Sequence, residues 1–184
     1  MIISFTGAQS TGKSTLFNEC RKDGRFNKFN YEPEITRYVK KKYNLTINED
    51  GDDITQLAVL NRHMYNYLEY RNKDVLLDRC IVDGLVYTSY QFLTGKVSEE
   101  VSNYASFLFS KLIDKLDIIF YTEPEIPLVD DGERSVNKEF RDTIVNLFEE
   151  AIDHFEIPVV RLSGSKEDRM TTIYKTIDDF RYGK

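Results

Sequence analysis

The sequence predicts an α/β fold of three layers, in which a parallel sheet of about five short strands lies between helices. Three observations carry this reading. Short apolar runs alternate along the chain with segments of helical period. Each run is apolar on both faces, as a strand buried from both sides must be. No linker, internal repeat or break in composition divides the chain, so it reads as one domain over residues 1–184.

The elements follow in order. Ile2 to Thr6 is a β-prone apolar run that meets Gly7, the mark of a buried strand ending in a tight turn. Helix-compatible residues resume at Thr15 and run to Cys20. Asp23 to Asn30 is polar and holds a glycine, a loop, and Pro33 ends a short second strand at Tyr31-Glu32 by restricting the residue before it. Glu34 to Tyr43 is helical in pattern. Asp52-Asp53 can cap a longer helix to about Tyr70, with Leu57, Leu60, Met64 and Tyr67 near the 3.6-residue period. Val75-Leu76-Leu77 forms the third strand, ending at Asp78. Helices over Val82 to Leu93 and Ser98 to Leu116 lead to a fourth strand, Ile118 to Tyr121. The polar segment Asp130 to Asn137 precedes a helix to about Phe155, then a strand Pro158 to Leu162 and a last helix Glu167 to Phe180.

Composition excludes several classes. With 41% hydrophobic and 30% charged residues the chain has material for one core, unlike a disordered or low-complexity protein. No apolar run approaches the length of a membrane span, and the amino-terminal run lacks the basic flank of a signal peptide, so a soluble, cytoplasmic protein without membrane partners is expected. Cys20 and Cys80 read as free core thiols, and His63 and His154 have none of the acidic or cysteine company that a metal site needs. A net charge of -6 disfavours loose binding to a long polyanion. Oligomeric state is not legible.

Gly7-Ala8-Gln9-Ser10-Thr11-Gly12-Lys13-Ser14 matches G-x-x-x-x-G-K-[ST] between a predicted strand and a predicted helix. Glycines at both ends let the backbone curl so that N–H groups of Gln9, Ser10, Thr11, Gly12 and the helix start through Thr15 face an anion. Lys13 reaches the terminal phosphates and the Ser14 hydroxyl binds Mg²⁺, which makes ATP with Mg²⁺ the expected cofactors. A guanine-reading N-K-x-D segment is missing after the fourth strand, which argues against a GTPase.

In parallel sheets ligands bind beyond the carboxyl ends of the strands. There the second strand leads to Glu34 and Arg37, and the third ends in Asp78-Arg79. A hydroxyl attacking a γ-phosphate needs a carboxylate to take its proton and cations around the migrating group. Asp78 and Glu34 are the candidate carboxylates, and Asp78 can alternatively hold the Mg²⁺ site with Ser14. The charged loop from Asp130 is long enough to close as a lid over 130–141, bringing an arginine such as Arg134 or Arg141 to the phosphoryl group. Gly164, after the fifth strand, is placed to pass beside the adenine.

These residues resemble the ribosylnicotinamide kinase domain of NadR-type proteins, within a broader group of P-loop ATPase and kinase domains with many phage-encoded members. Gly7 to Ser14 is similar to that family's phosphate loop, Glu34 and Arg37 to its E-x-x-R after the second strand, and Asp78 to its third-strand aspartate. Asp130-Asp131-Gly132-Glu133-Arg134-Ser135 is similar to its D-D-G-x-R-S segment. The resemblance implies the P-loop kinase fold, ATP as donor and a nucleoside-like hydroxyl as acceptor; against it, the length of the chain is expected to leave room for the kinase-like unit alone, without the adenylyltransferase or DNA-binding domains that NadR proteins can carry. Asp78-Arg79 is also similar to the D-R pair of deoxynucleoside and thymidylate kinases, which leaves nicotinamide riboside, a nucleoside or a nucleotide open as acceptor.

Two other readings stand beside a small-molecule kinase. Arg37, Tyr38, Lys40, Lys41, Lys42 and Tyr43 interleave cations and aromatics, as a kinase acting on a base within DNA or RNA would require, although a solvated helix face has the same pattern. An ATP-binding switch that hydrolyses slowly would need the loop but not the polar groups at the other strand ends.

Overall fold

The computed structural model describes residues 1–47, 50–128 and 137–183 of the chain. Its strands are β1 (Ile2–Thr6), β2 (Asn30–Glu32), β3 (Val75–Asp78), β4 (Ile118–Thr122) and β5 (Val159–Leu162). They form one parallel sheet in the order β2-β3-β1-β4-β5. The three inner strands are buried along their whole length, as their unbroken apolar runs require. The edges differ from the expectation of strands apolar on both faces: Asn30 in β2 and Arg161 in β5 are exposed. An edge strand has solvent on one side and tolerates polar residues there.

The helices are α1 (Lys13–Cys20), α2 (Ile35–Tyr43), α3 (Asp53–Tyr70), α4 (Ile81–Leu93), α5 (Glu99–Leu112), α6 (Lys138–His154) and α7 (Lys166–Tyr182). The Asp52 carboxylate accepts from Thr55 N–H, the cap its sequence position suggests, and the Asn137 side chain accepts from Phe140 N–H at the start of α6. Ser165 caps α7 in a reciprocal box with Asp168. Several boundaries shift by a few residues, and three of the shifts have a local cause. α1 starts at Lys13 rather than Thr15, because Gly12 takes φ +90° and turns the chain directly into the helix. α5 stops at Leu112 and a 3-10 turn over Ile113–Lys115 carries the chain into β4. β5 begins at Val159 because Pro158 has no N–H for a ladder.

Alternation along the strands sends side chains to opposite faces of the sheet. Ile3, Phe5 and Phe120 pack under α1 and α7 with Leu16, Phe17 and Ile173. Ile119 and Tyr121 face the other way, toward Val82, Phe140 and Phe148 of α4 and α6. Cys20 and Cys80 are free and buried, one in each layer, and burial pushes each thiol up to about 12. They are inert packing groups, as the sequence indicates. No helix among the described residues is long and apolar enough to cross a membrane.

Phe120 is fully buried and stacks on Phe5 with ring centroids 5.5 Å apart. Phe120→Ala should lower the unfolding free energy by about 3–5 kcal/mol in urea titrations, whereas a change at exposed Phe92 should cost less than about 1 kcal/mol. Equal losses at the two positions would show that this layer of the core is not packed as described.

Candidate active site

The loop after β1 is built by backbone conformations that its residue types allow. Gly7 takes φ +130°, and a Cβ there would lie 2.9 Å from the Thr122 hydroxyl and 3.0 Å from its carbonyl oxygen. Only glycine lets the turn approach β4 this closely. The Thr122 hydroxyl in turn lies 2.6 Å from that of Thr11, so the loop is fastened to the end of β4. The buried Lys13 ammonium donates to the carbonyls of Gly7, at 2.8 Å, and Ala8. Burial, and next the charge of Arg79, lowers this lysine to about 7. Thr15 is exposed in the first turn of α1.

Several polar atoms around the loop are buried and have no partner among the described residues: Gln9 Nε2, Ser10 Oγ and Asp78 Oδ1. The other Asp78 oxygen accepts from the Ser14 hydroxyl at 2.7 Å. Parallel register makes this pair, since Asp78 stands beside Phe5 on β1, two residues before Gly7. A hydroxyl and a carboxylate oxygen at contact distance, with a second carboxylate oxygen unpartnered, fit a hard divalent cation. No group of three or more His, Cys, Asp or Glu surrounds a metal position among the described residues, so a cation here would take its remaining ligands from phosphate and water, the habit of Mg²⁺. Burial, then the nearby Glu34, raises the Asp78 carboxyl.

Beside the loop lies a second cluster. Arg79 donates through Nε to Glu34 at 3.1 Å and through Nη1 to Asp83 at 2.7 Å, and its guanidinium lies 5.2 Å from the centroid of the Tyr87 ring. Arg37 Nε donates to the other Glu34 oxygen at 3.0 Å. Asp83 also accepts from Thr6 Oγ and Cys80 N–H, which ties the cluster to the ends of β1 and β3. Arg79 holds φ +93°, a backbone state that L-residues seldom adopt, and three partners hold its side chain in place.

The structure thus brings Glu34, Arg37, Asp78 and Arg79 together with Lys13 and Ser14. Glu34, Arg79 and Asp83 line a narrow cavity of about 40 Å³, open on one side, with Thr36, Gln56, His63 and Tyr87. Tyr87 O–H donates to the Gln9 side chain at 3.2 Å, so cavity and loop share a wall. Gln56 is oriented by Thr88, whose hydroxyl donates to its amide oxygen at 3.1 Å. Burial lowers His63 to about 4, which keeps it neutral at pH 7.

The sequence reading missed Asp83, Tyr87, Gln56 and His63. Asp83 and Tyr87 carry the one available signal, spacings of four and eight residues after Arg79 on an adjoining helix. Gln56 and His63 come from α3, and only the packing of that helix brings them here.

Gly164, at φ +81°, lies at the end of β5, where its carbonyl accepts from Arg169. Arg134, with most of the suggested lid, falls outside the described residues. Arg141 is placed differently from a lid arginine: it is buried in the first turn of α6 and donates to the carbonyls of Pro124 and Ile126. On α2, Lys42 packs on Tyr38 and Tyr43, and Arg62 of α3 lies between Tyr38 and Tyr65 while pairing with Glu32.

Folded Lys13 loses its proton near pH 7, while an ordinary lysine keeps it to 10.5. Between these values the unfolded chain binds more protons, so folding gains stability as pH rises through the window. Relative to Lys13→Met, the wild-type unfolding free energy should climb from about pH 7 to 10 in urea titrations. Parallel profiles for the two proteins would disprove the lowered lysine.

The sequence matches the AAA domain family over residues 2–169. No curated protein matches it at the sequence level. Among solved structures, NadR in complex with NAD and AMP-PNP superposes with TM-score 0.71 at 18% identity, over 97% of this chain and 49% of that one. NadR in complex with NR gives 0.69 at 19%, over 97% and 50%. Deoxyadenosine kinase from M. mycoides, with products dCMP and a flexible dCDP bound, gives 0.71 at 15%, over 97% and 100%. The chain spans about half the length of the NadR chains it matches and shares with all three the P-loop kinase fold. With the family matched across nearly its whole length, the chain belongs to the AAA domain family.

Proposed function

We propose that the chain is an ATP- and Mg²⁺-dependent kinase that transfers the γ-phosphoryl group to a hydroxyl of a nucleoside-like small molecule. The observation that carries the proposal is the wall shared by loop and cavity, where Tyr87 bonds Gln9 while Glu34 and Arg79 line the cavity. Donor phosphates on one side and a hydroxyl on the other would meet at a single carboxylate. The likeness in fold to NadR and deoxyadenosine kinase supports the same class of acceptor.

In this reading the N–H groups of the loop hold the β- and γ-phosphates, and Lys13 leaves the Gly7 and Ala8 carbonyls for the phosphate oxygens. Ser14 and Asp78 would hold Mg²⁺, which would draw negative charge from the phosphates. With one Asp78 oxygen on Ser14, we assign the acceptor's proton to Glu34, whose carboxylate lines the cavity. The acceptor oxygen forms its bond to the γ-phosphorus as the β–γ bridging bond breaks; the hydroxyl proton passes to Glu34 and ADP leaves. Arg37 and Arg79 hold Glu34 in place and supply positive charge beside the migrating group. Arg134, by the resemblance of its sequence to the D-D-G-x-R-S segment, is the further candidate for offsetting charge on the migrating group. Gln56 reads the heteroatoms of the acceptor's base, with its amide held by Thr88. Gly164 passes beside the adenine.

Two measurements test the proposal. Incubation with ATP and Mg²⁺, alone and with nicotinamide riboside, nucleosides, deoxynucleotides and DNA containing hydroxymethylated bases, should give a phosphorylated small molecule by mass only when its acceptor is present. Acceptor-independent ADP would point to an ATPase switch, and modified DNA as the sole acceptor would point to the polymer. Glu34→Gln should lower transfer by roughly 10²–10⁴-fold with ATP affinity within about threefold, and Asp78→Asn by at least about a hundredfold with folding intact. Transfer within threefold of wild type in either variant removes that residue from the chemistry.

A further inference from the structure

At the ends of β4 and β5, on the side of β1 away from the cavity, one side chain gathers the surrounding chain. Arg169 of α7 is only 2% exposed. Its Nη1 donates to the Thr11 carbonyl at 2.9 Å, and its Nε to the Gly164 carbonyl at 3.1 Å. Nη2 donates to Glu125 Oε2 at 2.8 Å and to the Glu123 carbonyl at 3.5 Å. Glu125 also accepts from Gly164 N–H at 2.8 Å, so the segments after β4 and β5 are locked to the same guanidinium.

Only the bond to Thr11 reaches the glycine loop, and it has a directional consequence. In a planar trans peptide the C=O and N–H point opposite ways. With the Thr11 oxygen held outward by Arg169, the Gly12 N–H points the other way, toward the concave side of the loop. The neighbouring φ of +90° at Gly12 leaves this peptide free to turn if the anchor is lost. An arginine is suited to the task because its planar fork serves several acceptors at once, which an ammonium cannot do.

We propose that Arg169 is a positioning residue for the phosphoryl donor: it fixes the Thr11–Gly12 peptide so that the Gly12 N–H serves a phosphate oxygen, and joins that peptide to the segment flanking the donor's base. This rests on the reading that loop 7–14 holds the donor's phosphates. Its guanidinium is buried and each of its nitrogens is engaged by protein oxygens, so it acts through the loop.

The test uses the full chain with Arg169→Met and Arg169→Lys. It reads dissociation constants for Mg-ATP and for inorganic tripolyphosphate by calorimetry, the acceptor KM, and the melting temperature. Arg169→Met should weaken ATP and tripolyphosphate alike, by about tenfold or more, with the acceptor KM within about twofold. Arg169→Lys, which keeps a cation able to serve one of the oxygens, should recover part of the loss. Where Arg169→Met does not fold, Arg169→Lys and Glu125→Gln carry the same comparison, with smaller but equal losses expected for both ligands. A lower melting temperature with unchanged tripolyphosphate affinity overturns the proposal and leaves a purely structural arginine. So does a loss confined to ATP, which would place the effect at the base. Failure of the wild type to bind tripolyphosphate would remove the phosphate-loop reading itself, and this inference with it.

Discussion

Parallel pairing of β1 with β3 on one side and β4 on the other places Asp78 beside Phe5 and Tyr121 beside Thr6. From this register follows most of the carboxyl edge. It brings Asp78 within 2.7 Å of Ser14, sets Thr122 against Gly7 and Thr11, and lets Thr6 bond Asp83. A slip of one residue would turn every strand side chain to the opposite face, exchanging the Phe5 layer for the Ile119 layer and scattering these pairs. The two apolar layers therefore hold the polar edge in place by enforcing the register.

The polar edge opposes some of that stability. Glu34, Arg79 and Asp83 are charged groups withdrawn from water, and their desolvation offsets much of their mutual attraction. Arg79 adds an unfavourable backbone conformation. A packed apolar cluster would serve folding as well or better. What the charged cluster provides is orientation: one carboxylate held by two arginines, facing a cavity, with charges fixed before any ligand arrives. Lys13 is in a similar state, resting on loop carbonyls and lowered by burial until an anion restores its preference for the charged form.

Buried arginines divide the work around the loop. Arg79 organises the cavity side, Arg169 the side of β4 and β5, and Arg141 ties the segment after β4 to α6. Each satisfies backbone carbonyls or carboxylates that would otherwise be stranded in a poorly hydrated interior. The glycine loop thus has fixed neighbours on both flanks, which suits a cradle that must present its N–H groups without rearrangement.

Local features were enough for the strands, the helix cap at Asp52 and the glycine loop, because periodicity, capping and turn chemistry act over a few residues. Glu34, Arg37, Asp78 and Arg79 lie at or shortly after the carboxyl ends of β2 and β3, and a parallel sheet gathers such ends at one edge, where the structure brings these four side chains together. Gln56, His63 and Arg169 carry no such local mark. In sequence they are polar positions on helices α3 and α7, indistinguishable from a solvated face. Only the docking of those helices aims Gln56 into the cavity and Arg169 at the Thr11 carbonyl. Arg141 shows the reverse: its sequence position suggested a lid, while packing assigned it to two backbone carbonyls. A residue's contacts across the chain depend on how amphipathic faces pair, and that pairing is decided by the whole core at once rather than by any segment.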